Sequence, residues 1–167
     1  MRSKSAKQDK FSIDQSGKVE DTSKNTILCL SNGYWDAVLV RTRTKRQLQE
    51  IFRRNGQIRN FVLFTFSAIL AILLKRNGRL LEVTVDREYF GKEAIIKKIV
   101  LEMLGSKINT ERKLPEIYFG YIGKKAMSHN RAYAIGLKKL KAKKNLSLKE
   151  VLARIKKTEV GKRLKDA

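Results

Sequence analysis

One apolar stretch in the middle of the chain constrains the fold more than any other feature. Residues 61–74 read FVLFTFSAILAILL, with Arg59 and Asn60 before them and Lys75 and Arg76 after them. A transmembrane helix needs about 20 predominantly apolar residues, so this stretch is short for a membrane span. A surface helix would be apolar on one side only. We therefore predict a helix over residues 58–75 that is buried on most sides in an α/β core. A second interpretation is that one of its faces is buried in a homodimer interface.

The rest of the chain contains segments with strand or helix character. Short β-branched and apolar runs bounded by turn residues predict strands over residues 11–14, 25–30, 34–40, 80–86 and 116–122. Apolar residues at helical spacing predict helices over residues 44–54, 91–104 and 128–143. Ser147 and Glu150 match a capping box, which predicts a last helix over residues 148–157. This order predicts an α/β fold whose mixed five-stranded sheet, a three-strand antiparallel meander plus two parallel strands, is flanked by helices.

Two of the predicted strands end in an aspartate. Asp14 follows the run FSI, and Asp86 follows the run VTV. If strands one and four are parallel neighbours, both carboxylates lie at the same end of the sheet. Hard divalent cations take carboxylate oxygens as ligands, and two such ions stabilise both the attacking and the leaving oxygen in phosphodiester hydrolysis. The alternative is that each aspartate caps a turn, since Gly17 follows the first and Gly91 the second.

The chain is strongly basic, with 38 Lys and Arg against 16 Asp and Glu and a net charge of +22. Such a charge attracts polyanions, so we expect a nucleic-acid partner, and a basic protein at a membrane surface is the alternative. The candidates for phosphate contacts are Lys18, Arg41, Arg43, Lys45, Arg46, Arg87, Lys124, Lys125, Arg131, Lys138 and Lys139. Tyr34, Trp35, Tyr118 and Tyr121 can stack on bases, although packing in a core or an interface is the more common use of such residues.

Composition excludes several other classes of protein. A hydrophobic content of 42% excludes global disorder, and the single cysteine, Cys29, excludes an intrachain disulfide and a cysteine-rich zinc site. We expect Cys29 to be a buried, inert thiol. The polar, basic N-terminus lacks the apolar segment of a signal peptide, so we expect a cytoplasmic protein without a membrane span. We predict a disordered basic segment over residues 1–10, one domain over residues 11–145, and a basic helical extension over residues 146–167 whose end frays.

The predicted order of elements resembles the ribonuclease H-like superfamily. In that family the first metal-binding aspartate lies on strand one, as Asp14 does, and the next strand-borne acid ends strand four, as Asp86 does. Residues 86–94, DREYFGKEA, look similar to the corresponding segment of RuvC-type Holliday-junction resolvases. Residues 128–133, SHNRAY, are similar to a His-Asp-Ala-Tyr stretch in the RuvC-like nuclease domain of CRISPR effector proteins. The resemblance rests on topology and short motifs and extends from residue 11 to about residue 143.

The resemblance implies a nuclease that uses two Mg²⁺ or Mn²⁺ ions and cuts branched DNA as a homodimer. It implies Asp14, Asp86, His129 and Asn130 as catalytic residues and Asp14, Asp86 and Asn130 as metal ligands. Glu88 is a further candidate ligand, although a surface glutamate is the more common interpretation of Glu88, as it is of Glu93 and Glu50.

Asn130 stands where the family usually has an aspartate. Its amide offers one oxygen without charge, which lowers metal affinity, and His129 would supply the missing contact or orient the attacking water. An ordinary structural hydrogen bond is the alternative for His129. Three further hypotheses stay open: an engineered Asp-to-Asn change, ribonuclease H activity on RNA/DNA hybrids, and nucleic-acid binding on the same fold without catalysis.

Overall fold

The computed structural model describes residues 10–105 and 114–166. The strands are β1 (Phe11–Ser16), β2 (Thr26–Asn32), β3 (Tyr34–Val40), β4 (Glu82–Asp86), β5 (Glu116–Gly120) and β6 (Lys144–Asn145). The helices are α1 (Thr42–Arg54), α2 (Phe61–Arg76), α3 (Glu93–Leu104), α4 (Met127–Gly136), α5 (Leu148–Ile155) and α6 (Glu159–Lys162). A 3₁₀ turn, Ile58–Asn60, precedes α2. The disorder predicted for residues 1–10 concerns a segment that lies outside the described residues, apart from Lys10.

The strands form one mixed sheet in the order β5-β4-β1-β2-β3-β6. β1, β2 and β3 form an antiparallel meander, and β4 and β5 lie parallel to β1. The predicted α/β class and the arrangement of these five strands are therefore confirmed. The predicted strand number was wrong, because Lys144 and Asn145 add a sixth strand parallel to β3 at the far edge. Two residues are too few to show a strand pattern in the sequence.

Helix α2 forms the centre of the hydrophobic core. Its buried residues include Phe61, Phe66, Ile69 and Leu70, and the helix packs against α3, α5 and the sheet. By length and composition the segment Ile58–Arg76 could cross a membrane, but 61% of its most apolar window is buried inside the fold. This burial agrees with the predicted core helix.

The C-terminal segment packs on the same core. Ser147 begins α5 with the predicted reciprocal capping box, and Ile155 is fully buried. Leu164 is also buried, and the side chain of Asn55 both donates to and accepts from the backbone of Lys165. The predicted fraying of this end was therefore wrong for the part that the structure describes. The contacts that hold it come from residues distant in sequence, which a local pattern does not show.

Helix α4 is shorter than predicted. It ends at Gly136, and Lys138 adopts a left-handed backbone conformation with φ of 61°. A Cβ atom on Gly136 would lie 2.8 Å from the Oγ atom of Ser16. The glycine therefore lets the end of α4 lie close against β1, which positions the helix on the sheet.

Lys45 is fully buried beneath the connection between β1 and β2. Its ammonium group donates to the backbone oxygens of Lys18 (2.9 Å) and Asp21 (2.6 Å) and to Oγ1 of Thr26 (3.0 Å). Burial lowers the pKa of Lys45 to about 8, so at pH 7 the group remains an ammonium whose three protons match three acceptors. The prediction that Lys45 contacts nucleic acid was therefore wrong.

We expect Lys45→Met to lower the free energy of unfolding by about 2–4 kcal/mol, because three buried acceptors lose their donor. Urea denaturation at pH 7 measures this change. Arg46→Met is the matched control, since Arg46 is the exposed neighbour on the same helix, and it should change stability by less than about 0.5 kcal/mol. Equal stabilities of the two variants would contradict the structural role of Lys45.

Candidate metal centre

Asp14 and Asp86 lie side by side on parallel neighbouring strands. Asp86 is the last residue of β4, but β1 continues to Ser16, so the prediction that Asp14 ends its strand was wrong. The β1–β4 register pairs Ile13 with Val85, so the next residue on each strand is an aspartate. Ile13 and Val85 are buried in the main core, and the alternation along a strand turns both aspartates to the opposite face. Glu88 follows in the loop after β4. One carboxylate oxygen from each of the three acids lies within 4.8 Å of the others.

Two hydrogen bonds orient the carboxylate of Asp14, which is only 3% exposed. Its Oδ1 accepts from the backbone N–H of Gln15 at 2.8 Å, and its Oδ2 is bonded to Nδ1 of His129 at 2.6 Å. Burial raises the pKa of Asp14 above its ordinary value, although both hydrogen bonds act in the opposite direction. A desolvated carboxylate held in this way gains free energy from a bound cation.

Asp86 connects the cluster to the loop between β5 and α4. Its Oδ1 accepts from the backbone N–H of Ile122 at 2.8 Å, and the backbone N–H of Arg87 donates to Gly120 at 3.0 Å. This anchoring brings the start of the loop to the carboxylates. The predicted basic residues Lys124 and Lys125 follow two and three residues later, and both are exposed.

Glu88 is half-buried beside the two aspartates rather than on the open surface. Its pKa is raised to about 7, first by burial and then by a hydrogen bond with Asp86 and repulsion from Asp86 and Asp14, while Lys18 acts against the shift. The carboxylates therefore retain a proton close to neutral pH. A divalent cation would relieve this repulsion. A donor set of carboxylate oxygens suits Mg²⁺, Mn²⁺ or Ca²⁺.

Helix α4 brings His129 to the cluster. The buried Ser128 exchanges a hydrogen bond of 2.8 Å with Ser12 on β1, which fixes the rotation of the helix. His129, one residue later, contacts Asp14, and its ring lies parallel to that of Tyr133 with 6.5 Å between centroids. The hydrogen bond expected as the alternative role of His129 is therefore present, and its partner is a member of the cluster.

Asn130 lies on the outer side of α4. Successive helical residues are about 100° apart, so Asn130 is about 200° from Ser128, which faces the sheet. Its side chain is exposed. Among the described residues, it is His129 that connects α4 to the carboxylate cluster, through its bond to Asp14.

The other acidic candidates form surface ion pairs. Glu50 on α1 pairs with Arg53 at 2.7 Å and Arg54 at 2.8 Å. Glu93 at the start of α3 pairs with Arg87 at 3.1 Å. Both glutamates therefore agree with the surface interpretation, and neither belongs to the carboxylate cluster.

Tyr89 is a contributor to the site that the sequence does not reveal. Its hydroxyl accepts from Val19 N–H at 3.4 Å and from the Gln15 side chain at 3.3 Å, and it donates to Glu20 at 3.3 Å. These bonds join the connection after β1 to the loop that carries Glu88. The position of a tyrosine directly after that glutamate is the only sequence signal, and it does not identify the partners.

Most of the predicted phosphate-contacting residues are exposed. These are Lys18, Arg41, Arg43, Arg46, Arg87, Lys124, Lys125, Lys138 and Lys139. Arg131 is half-buried instead, with its guanidinium 4.7 Å from the ring centre of Trp35, and Lys143 lies 4.3 Å from the same ring. The Trp35 ring therefore packs against two cations.

The three tyrosines among these candidates are exposed, which contradicts packing in the core of this chain. Tyr34, Tyr118 and Tyr121 are 54%, 53% and 84% exposed. None of the three rings is therefore a core residue. Cys29, by contrast, is buried as expected, and burial raises the pKa of its thiol to about 12, which makes it inert.

No protein-family model, curated protein or solved structure matches the chain. The chemistry of the site is therefore inferred from its own residues: three converging carboxylates, a histidine bonded to one of them, and exposed lysines on the adjoining loops.

We expect Mn²⁺ to bind the cluster about tenfold more tightly at pH 8 than at pH 6, because binding displaces the proton held with a pKa of about 7. The pKa of Glu88 is 4.5 in its ordinary state and about 7 in the folded protein, so the unfolded chain loses this proton first. Without metal, Glu88 therefore makes folding less favourable as the pH rises from 4.5 to about 7. Calorimetry with and without Mn²⁺ at several pH values measures both effects through Tm.

Glu88→Gln should weaken Mn²⁺ binding and flatten its pH dependence. Glu116→Gln is the control, since Glu116 is an exposed acid on the neighbouring strand β5, and it should leave both unchanged. A Tm increase by Mn²⁺ that is the same at pH 6 and pH 8 in the parent protein would contradict a proton held at the cluster.

Proposed function

We propose that this protein is a metal-dependent endonuclease that hydrolyses phosphodiester bonds in structured nucleic acid. The observation that carries the proposal is the convergence of Asp14, Asp86 and Glu88 within 4.8 Å. Burial works against such a concentration of negative charge, and the chain as a whole is basic, with a net charge of +22. An acidic centre in a protein that attracts polyanions suits a site where cations and phosphates meet.

Asp14, Asp86 and Glu88 would hold Mg²⁺ or Mn²⁺, in the two-ion arrangement that the resemblance to ribonuclease H-like nucleases implies. When bound, these ions polarise a phosphoryl oxygen and make a bound water a stronger nucleophile. The contribution of the protein is to fix the carboxylates. The Gln15 backbone and His129 hold the two oxygens of Asp14, and the Ile122 backbone holds Asp86.

His129 has a second role in this proposal. Its Nδ1 is bonded to Asp14, so Nε2 lies on the opposite side of the ring, and the side chain is 35% exposed. A neutral imidazole that donates through Nδ1 accepts through Nε2. Nε2 would therefore orient the attacking water or take its proton.

Branched DNA is the proposed substrate, because the segment after Asp86 looks most similar to Holliday-junction resolvases. Exposed lysines near the cluster, Lys18, Lys124 and Lys125, would contact the phosphates on either side of the cleaved bond. Symmetric cleavage of a junction requires two active sites, so we include a homodimer in the proposal. The partly buried Val62 and Ile72 are parts of α2 that such an interface would cover.

Purified protein should cleave a labelled four-way junction in the presence of Mn²⁺. Asp14→Asn should lower the rate by more than about 100-fold, because loss of a metal-ligand charge costs more than loss of an outer-shell partner. Glu116→Gln should cleave at the parent rate. An RNA/DNA hybrid assayed in parallel tests the ribonuclease H alternative. Binding of these substrates without cleavage, by both the parent protein and Asn130→Asp, would contradict the nuclease and favour a non-catalytic binding protein.

His129→Ala should raise the Mn²⁺ concentration needed for half-maximal cleavage by about 10- to 100-fold, as expected when an outer-shell partner of a metal ligand is removed. The matched variant is Asn130→Ala, one residue along the same helix, which should change this concentration by less than about twofold because Asn130 is exposed. The reverse order of effects would show that Asn130 serves the metal directly.

A further inference from the structure

One face of β4 and β5 is open beside the carboxylate cluster. Val83, Val85 and Ile117 are 1%, 1% and 3% exposed and face the main core. The alternate residues, Thr84 and Tyr118, point to the other face, and Tyr118 is 53% exposed. On that face α4 packs over β1 and β2. In the part of the chain that the structure describes, β4 and β5 therefore form a floor next to α4 that solvent reaches.

The strand register places Tyr118 next to the cluster. It pairs Thr84 with Tyr118 and Asp86 with Gly120, and it pairs Ser12 with Thr84. Tyr118 is thus on the strand next to Asp86, two residues before Gly120, the residue that pairs with Asp86. Diagonal neighbours of this kind lie roughly 7–8 Å apart between Cα atoms.

Gly120 leaves the sheet surface without a side chain between the Tyr118 ring and the carboxylates. It is the direct cross-strand neighbour of Asp86, and a Cβ atom there would contact Cγ2 of Thr84 at 3.5 Å. Because Gly120 has no side chain, nothing on β5 rises between Tyr118 and the cluster.

Further exposed residues follow β5 in the loop that leads to α4. Tyr121 is 84% exposed, and the next residue, Ile122, donates its backbone N–H to Asp86. Lys124 and Lys125 follow and are exposed. Aromatic rings next to amines are the combination with which proteins bind unpaired nucleic acid, because rings stack on bases and amines pair with phosphates.

We propose that Tyr118 is a stacking platform for an unpaired base next to the phosphate that is cleaved. The inference rests on the proposed function in one respect, that the partner is a nucleic acid. Bases in a continuous duplex stack on one another and turn only their edges to the grooves, whereas an unpaired base offers a free face. The platform therefore favours substrates with unpaired nucleotides at the cleavage point over continuous duplex.

The test is fluorescence anisotropy in EDTA, with a labelled single strand of about 20 nucleotides and a continuous duplex of the same sequence. The parent protein should bind the single strand more tightly than the duplex. Tyr118→Ala should weaken single-strand binding by about 5- to 150-fold, as expected for one lost base–aromatic stack, and change duplex binding by less than about twofold. Tyr118→Phe, which keeps the ring, should bind the single strand like the parent.

Tyr34→Ala is the matched control, because Tyr34 is 54% exposed, lies beside Phe11, and belongs to β3, which three strands separate from β5. It should leave both affinities unchanged. Equal weakening of single strand and duplex by Tyr118→Ala, no weakening of either, or no binding by the parent protein would each overturn the platform.

The binding assay contains no divalent metal, so its result does not depend on cleavage. If Tyr118 gives the preference for the single strand but the protein never cuts DNA or RNA, the result supports the stacking platform and contradicts the nuclease. If the protein cuts in Mn²⁺ but binds the single strand equally well with and without the Tyr118 ring, the result supports the nuclease and contradicts the stacking platform.

Discussion

The parallel pairing of β1 with β4 is the interaction on which the rest of the site depends. It sets Ile13 opposite Val85, with both side chains in the core beneath α2, and thereby sets Asp14 beside Asp86 on the other face. A slip of one residue would expose the isoleucine or the valine, so burial of the core holds the register. The same burial free energy holds two mutually repelling carboxylates together, and Glu88 adds a third.

The orientation of α4 is the second determinant of the site. Ser128 bonds to Ser12 on β1, and Gly136 permits close contact with Ser16 further along the same strand. These two contacts fix both the rotation and the distance of the helix. They decide that His129 reaches Asp14, since a rotation of one residue would bring a different side chain over the carboxylates.

Local signals in the sequence predicted well where the cause of the structure is local. The capping box at Ser147, the apolar run that became α2 and the strand that ends at Asp86 all appear at or near their expected positions. Predictions failed where the cause is a contact between distant segments. β6 exists because residues 144–145 meet β3, and Lys45 is buried because the β1–β2 connection closes over its amine.

By itself, the sequence determined the α/β class, the core helix, the positive charge and the aspartate that ends β4, because each depends on residue type and short-range spacing. Only the tertiary structure decided that Glu88 joins the aspartates, that His129 rather than Asn130 contacts Asp14, and that Tyr118 is exposed. These outcomes depend on strand register and helix rotation, which follow from packing across the whole core.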